Sequence, residues 1–366
     1  MNHSADETRA SLANNLRYFI KWSLIALLIG GTGGLIGSLF SMGVSFATSF
    51  RMNHPNMLFF LPVSGILIVW LYHTFHEEGN RGTNMVIDAI SSTEKVTLAT
   101  GPLIFVSTVL THIAGGSSGR EGAALQLGGS LGNLFGNAIH LDEKDKKIAI
   151  MCGMSAVFSA LFGTPVAAAI FPLEVISIGV LYYAALVPCI FSSFIGVGIA
   201  RYLGIAGEHF TVLSIPAISV SSVGWIIFLS ALCAGVSIVF CLMLHGAEHT
   251  YRKIFPNPYV RILAASAIFI LLTLLIGTRD YCGSSMPLIE RSMEGEIGYE
   301  AFFLKMLFTA IALGAGFKGG EIVPTLCVGA AFGCAFGQIT GFAPSLCAAC
   351  SMAALFAGVT NCPISS

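Results

Sequence analysis

Between two strongly apolar stretches the chain carries Gly115-Gly116-Ser117-Ser118-Gly119-Arg120-Glu121-Gly122. If those stretches lie in a membrane, an ionisable residue between them is costly and reads as functional. The glycines let backbone N–H groups come close to a ligand. The stretch from Glu121 to Asn137 reads as a helix, whose N-terminus carries partial positive charge and unsatisfied N–H donors. Such an end attracts anions. A carboxylate placed there acts as a tethered, competing anion.

Three other groupings match known chemistry. His245-Gly246-Ala247-Glu248-His249 has the order of an inverted zinc-protease motif. It stands at the end of an apolar helix, just before Tyr251-Arg252-Lys253, and reads first as a solvated helix end. A membrane zinc metallopeptidase is the distant alternative. Gly115 to Gly119 also fits the GxSxG pattern, but the nucleophile elbow needs an α/β sheet that nothing here suggests. Cys347-Ala348-Ala349-Cys350 has CxxC spacing without a second pair, so small core residues explain it better than metal ligands. The ten cysteines do not suggest a disulfide framework. Nothing in the sequence calls for a cofactor or a resident metal.

The composition names the solvent that must hold these residues. Of 366 residues 55% are hydrophobic and only 10% charged, and mean hydropathy is +0.82. Trp22 to Phe50, Met57 to Tyr72, Val223 to Leu244 and Arg261 to Gly277 are long enough to cross a hydrocarbon core. The expectation is an all-α polytopic membrane protein with about ten or more helical segments. The first apolar run starts near Tyr18, is too long for a signal-peptide core, and reads as a retained helix. The 41 glycines, spaced as in Gly30, Gly34 and Gly37, suit close packing of membrane helices. A net charge of −1 gives no reason to expect a nucleic-acid partner.

The chain also repeats itself. Met154 to Pro165 can be laid on Met352 to Pro363, matching methionine, alanine, phenylalanine and proline. Upstream, Gly119 lies over Gly319 and Gly129 over Gly329, a register differing by two residues, which the loop Asp142 to Lys147 can absorb. Each copy has a Gly-Glu loop, a glycine-rich helix, a small-residue helix and a proline-opened start. Repeats of this kind mark transporters, whose broken helices aim their N-termini at a shared site. The expected division is a polar segment 1–17, a first repeat 18–204 and a second repeat 205–366. Measured against the first, the second lacks about forty residues after Pro363. The expectation is a C-terminally truncated chain that cannot transport by itself.

These residues resemble the CLC family of chloride channels and proton-coupled anion antiporters. Gly119-Arg120-Glu121-Gly122 resembles its GREGP motif, with Ala123 in the proline position. Gly163-Thr164-Pro165 to Glu174 resembles its FxxE helix. Gly319-Gly320-Glu321-Ile322-Val323-Pro324 resembles the GxFxP loop, and Phe356 to Pro363 the segment leading to the next helix. Gly79-Asn80-Arg81-Gly82-Thr83-Asn84-Met85 stands where chloride-type members carry GSGIP. Val175 follows Glu174 where chloride antiporters place an inner proton-transfer glutamate. Together these departures resemble the CLC-F branch, which exchanges fluoride for protons.

The resemblance implies an inverted repeat of broken, tilted helices, no enzymatic activity, a homodimer, and a multi-pass protein of a bacterial inner membrane. It implies fluoride or chloride, and protons, as the moving species. Glu121 would be the gate and proton carrier, leaving the anion site when protonated. Asn80, Gly82, Thr83, Gly119, Arg120, Gly122, Gly320, Ile322 and Val323 would form the anion-binding loops, with Arg120 holding its loop rather than touching the ion. Glu321 stays open: a second protonatable group, an acceptor for a protonated species, or a helix N-terminal charge. Glu174 reads as a helix-end carboxylate facing water. An aromatic ion-site residue of the family would lie beyond Ser366. A chloride channel or chloride/proton antiporter of the same fold is the nearest rival.

Overall fold

In a computed structural model the chain is described over residues 2–79, 82–91, 96–176 and 182–366, with side chains from residue 14 onward except those of Asn84 and Ser91. Asn80 lies outside the described residues.

The described residues form α1 (Asn2–Asn53), α2 (Leu61–Thr74), α3 (Thr83–Ser91), α4 (Thr100–Ile113), α5 (Glu121–Ala138), α6 (Glu143–Phe162), α7 (Pro165–Val175) and α8 (Leu186–Tyr202). There follow α9 (Val220–Ile254), α10 (Pro258–Ile276), α11 (Met286–Glu294), α12 (Ala301–Ala315), α13 (Ile322–Thr340) and α14 (Pro344–Thr360). Among the described residues six helical stretches are long and apolar enough to cross a membrane, and four shorter apolar helices accompany them. All four long apolar runs read from the sequence fall on such stretches.

Local chemistry sets the helix ends. Asp142 accepts the Asp145 N–H at 2.8 Å and caps α6. Gly163 ends α6 at φ +73°, a left-handed cap that suits glycine. Pro165 and Pro344 open α7 and α14 in the first turn, where a missing N–H costs nothing.

Two helix pairs carry the internal repeat, α5 on α6 and α13 on α14. Glycine lets both pairs touch backbone to backbone. A Cβ on Gly132 would overlap the Ala149 carbonyl, and one on Gly128 the Gly153 carbonyl. Likewise a Cβ on Gly333 would overlap the Cys347 carbonyl, and one on Gly329 would come within 2.6 Å of Ser351 O. Contact between small residues is how helices gain packing where lipid offers no hydrophobic drive.

These contacts correct the sequence register by one residue. Gly128 and Gly132 correspond to Gly329 and Gly333, so Glu121 corresponds to Ile322 and Arg120 to Glu321. Small residues are frequent enough here that matching by type slides; the carbonyl beneath each glycine fixes the pairing. Apolar side chains fill one core around α6 and α7 and another around α10, α12 and α13. Leu24, Leu27, Leu28, Leu271, Leu274 and Leu275 remain exposed on α1 and α10, as a bilayer solvent demands.

Candidate anion site

The two repeat loops meet through their backbones. Gly119 N–H donates to Gly320 O at 2.6 Å and Gly320 N–H to Gly119 O at 2.8 Å, an isolated antiparallel bridge. The chain therefore enters α5 and α13 in opposite directions from one meeting point. Their N-termini, with unsatisfied N–H groups, lie side by side.

Glu121 is fully buried at this junction. Its Oε2 accepts the Val323 N–H at 3.1 Å, in the first turn of α13. Its Oε1 is buried without a hydrogen-bond partner. The carboxyl folds back onto Gly119, where a Cβ would overlap it and also come within 3.0 Å of Pro324 Cδ. The carboxyl of one repeat thus sits on the helix end of the other, in a place suited to a small anion.

A third loop closes on the same point. Thr83 Oγ1, at the start of α3, donates to Gly122 O at 3.3 Å. Gly122 has no room for a side chain: its Cβ would come within 2.7 Å of Thr83 Oγ1 and 3.1 Å of Gly320 Cα. Gly82 turns the chain at φ +69° just before Thr83. The structure therefore brings together Gly82, Thr83, Gly119, Glu121, Gly122, Gly320 and Val323. Ile322 joins them as an apolar wall, buried in a core with Phe171 and Phe356.

Two of the predicted residues turn elsewhere. Arg120 points out of the junction, where Nη2 meets Glu208 Oε1 at 2.6 Å and Nη1 meets Ser41 Oγ at 3.4 Å. It borders a cleft of about 290 Å³ shared with Ser41, Ser45, Leu203 and Glu208. It holds the loop by a carboxylate contact and lends the cradle no side-chain donor. Glu321 is exposed, and its backbone O accepts both the N–H and the hydroxyl of Thr325. It is the counterpart of Arg120 and not a second copy of Glu121.

Three buried residues escaped the sequence reading. Gln126 is 2% exposed, donates to Gly122 O at 3.2 Å and leaves Oε1 without a partner. Ser118 Oγ is also buried without a partner, and a Cβ on Gly319 would approach it to 2.5 Å. Lys305 lies behind the loop, on α12. A polar residue on a glycine-rich helix and a lysine in an apolar run were the signals available.

Glu174 does not face water. Its carboxylate accepts the N–H groups of Ile364 and Ser365 at 2.9 and 3.0 Å and the Ser365 hydroxyl at 2.8 Å. It ties α7 to the segment that follows α14.

The motif at 245–249 lies on an exposed face of α9. Glu248 pairs with Arg252 at 2.7 Å and His245 Nδ1 meets Cys241 O at 2.8 Å. Among the described residues no group of three or more His, Cys, Asp or Glu is placed to hold a metal. Ser117 is a partner of Lys305 and Thr309.

A family model described as voltage gated chloride channel matches residues 64–366. A chloride/fluoride channel protein of Pseudomonas syringae pv. tomato is 29% identical over 358 residues, covering 96% of this chain and 79% of that protein. An H(+)/Cl(-) exchange transporter ClcA of Vibrio cholerae is 25% identical over 371 residues, covering 93% and 79%. Among solved structures, a CLC-type fluoride/proton antiporter superposes with a TM-score of 0.89 at 30% identity, over 95% of this chain and 89% of that one. A slow cyanobacterial Cl-/H+ antiporter superposes at 0.78 with 19% identity, over 94% and 87%, which speaks for the fold.

Proposed function

This chain belongs to the voltage gated chloride channel (CLC) family, and from that premise we propose that it is a proton-coupled anion antiporter exporting fluoride in exchange for protons. One observation carries the reading: the buried Glu121 carboxyl sits on the Val323 N–H at the start of α13. An ionised carboxylate only accepts hydrogen bonds, and a protonated one can also donate. Charged, Glu121 holds the helix end against a free anion. Protonated, it leaves, the anion takes its place, and the two fluxes run in opposite directions.

Fluoride is favoured over chloride by what surrounds that point. Fluoride is small and strongly hydrated, so it needs close donors to replace its water. The reading rests on the backbone N–H groups of the helix ends, with the Thr83 hydroxyl and the Gln126 amide held beside them on Gly122 O, and Asn80 just before them in sequence. The structural likeness to a fluoride/proton antiporter supports the same choice. The anion and proton are substrates, so the protein is a transporter and not an enzyme. A homodimer in a bacterial inner membrane belongs to the same proposal; the mass of the purified particle checks the dimer.

The experiment is flux from proteoliposomes holding the full-length protein. Fluoride efflux should exceed chloride efflux clearly and should drive proton uptake. Glu121→Gln should abolish proton movement driven by the anion gradient. Proton pumping that survives in Glu121→Gln would overturn the mechanism. Equal fluoride and chloride rates would favour the rival reading, a chloride channel or chloride/proton antiporter, which the similarity to ClcA keeps in view.

A further inference from the structure

Lys305 is a fully buried lysine in the middle of an apolar helix. Its ammonium donates to Ser117 Oγ, Gly283 O and Ser285 Oγ, each at 2.8 Å, with Tyr281 O at 3.5 Å. Three short contacts use all three of its donors. Every acceptor is neutral, and no carboxylate is among them. Buried charges are ordinarily compensated, because an isolated one is expensive. The hydrogen bonds solvate this ammonium but leave its charge unbalanced.

The Glu121 junction has the opposite imbalance. Its carboxyl is buried, and the one hydrogen bond it accepts from another segment comes from the neutral Val323 amide. Arg120, the cation next to it in sequence, is committed to Glu208. The two unbalanced groups share one loop. Ser117 is held by Lys305 and braced by Thr309 at 3.0 Å. Gly119, against which the Glu121 carboxyl rests, is two residues further on. In an interior of low polarisability a buried charge acts beyond the groups it touches.

We propose that Lys305 is a positioning residue that acts by its charge: its fixed ammonium balances the Glu121 carboxylate and, once that group has left, the anion that replaces it. The Gly283 and Ser285 acceptors keep the ammonium from moving to the anion itself. The charge is then present in both states of the cycle without joining the moving parts. This inference rests on the assignment of the anion site to the Glu121 junction.

The test is fluoride binding by titration calorimetry on detergent-purified full-length protein in the Glu121→Gln background, where the competing carboxylate is gone. Adding Lys305→Gln removes the charge and leaves a polar amide, one bond shorter, on the side of Ser117 and Ser285. Binding should weaken by about tenfold or more, as for loss of one charge in a low-dielectric interior, while the melting temperature shows a folded protein. Ser117→Ala keeps the charge and cuts the link to the loop; binding there should stay within about twofold, as for a change of little consequence. If Lys305→Gln folds and binding is unchanged, the charge does not serve the site. If Ser117→Ala weakens binding about tenfold, the effect belongs to loop anchoring and the proposal falls, even where Lys305→Gln fails to fold. If the Glu121→Gln protein binds no fluoride, the anion site itself is misassigned and both readings fall.

Discussion

The Glu121 carboxyl can reach the Val323 N–H only because Gly119 has no side chain. Gly119→Ala would place a methyl where the carboxyl oxygen rests, with Pro324 Cδ and Gly320 O behind it, so the Glu121 side chain is the group that must move. Coupled exchange should fall by about 10–100-fold, the usual penalty for displacing a reacting group by an ångström. Flux of fluoride and protons from the same vesicles checks this, and an unchanged rate would show that the carboxyl has another resting place. If Glu321 is a second protonatable group despite facing away from the junction, Glu321→Gln should slow transport more than Glu174→Gln. Glu174 is spent on three donors from residues 364 and 365, so its replacement should cost stability, about 1–3 kcal/mol, read from thermal melting. An unaltered rate in Glu321→Gln would leave that residue as a helix-end charge. The Glu121 loop was legible in sequence because an ionisable group between apolar runs is rare. The partners of Lys305 were not, since Ser117 lies 188 residues away in the chain.

At the scale of helices, the apolar runs announced where α1, α2, α9 and α10 would be. Glycine abundance announced close packing, but not which faces touch. Gly132 packs on the Ala149 carbonyl and the Ile150 Cα, while Gly246, on α9, has nothing within 4 Å. The same substitution should therefore have opposite signs at the two sites. Gly132→Ala must push two backbones apart and should destabilise by about 1–3 kcal/mol. Gly246→Ala gains helix propensity and should stabilise by about 0.5–1 kcal/mol. Melting curves in one detergent give both signs. A stabilised Gly132→Ala would mean that α5 and α6 are not packed as described.

The two halves meet along shared cores and several hydrogen bonds, and their repeat loops face each other at the Gly119–Gly320 bridge. The molecule's preference between halides is a property of that junction as a unit, since three loops and two helix ends contribute to it. The expected fluoride preference should weaken when Thr83→Val removes the hydroxyl that closes the third loop, with chloride flux changing less; a ratio that does not move would take Thr83 out of the site. The fold class could be read from hydropathy and from the repeat. The pairing of Gly119 with Gly320 could not, because it joins backbone atoms of residues that any glycine-rich loop could have supplied.

That junction also sets a timetable for synthesis. The carboxyl of Glu121 and the amide it rests on are 202 residues apart. At ribosomal speeds of about 5–20 residues per second, roughly 10–40 s separate their emergence. Throughout that interval the first half exists without its counterpart, and the acid has no α13 to receive it. Completing the site is then a late event in biogenesis, and a nascent chain arrested before Val323 should present Glu121 to water-soluble carboxyl reagents that cannot reach it in the finished protein.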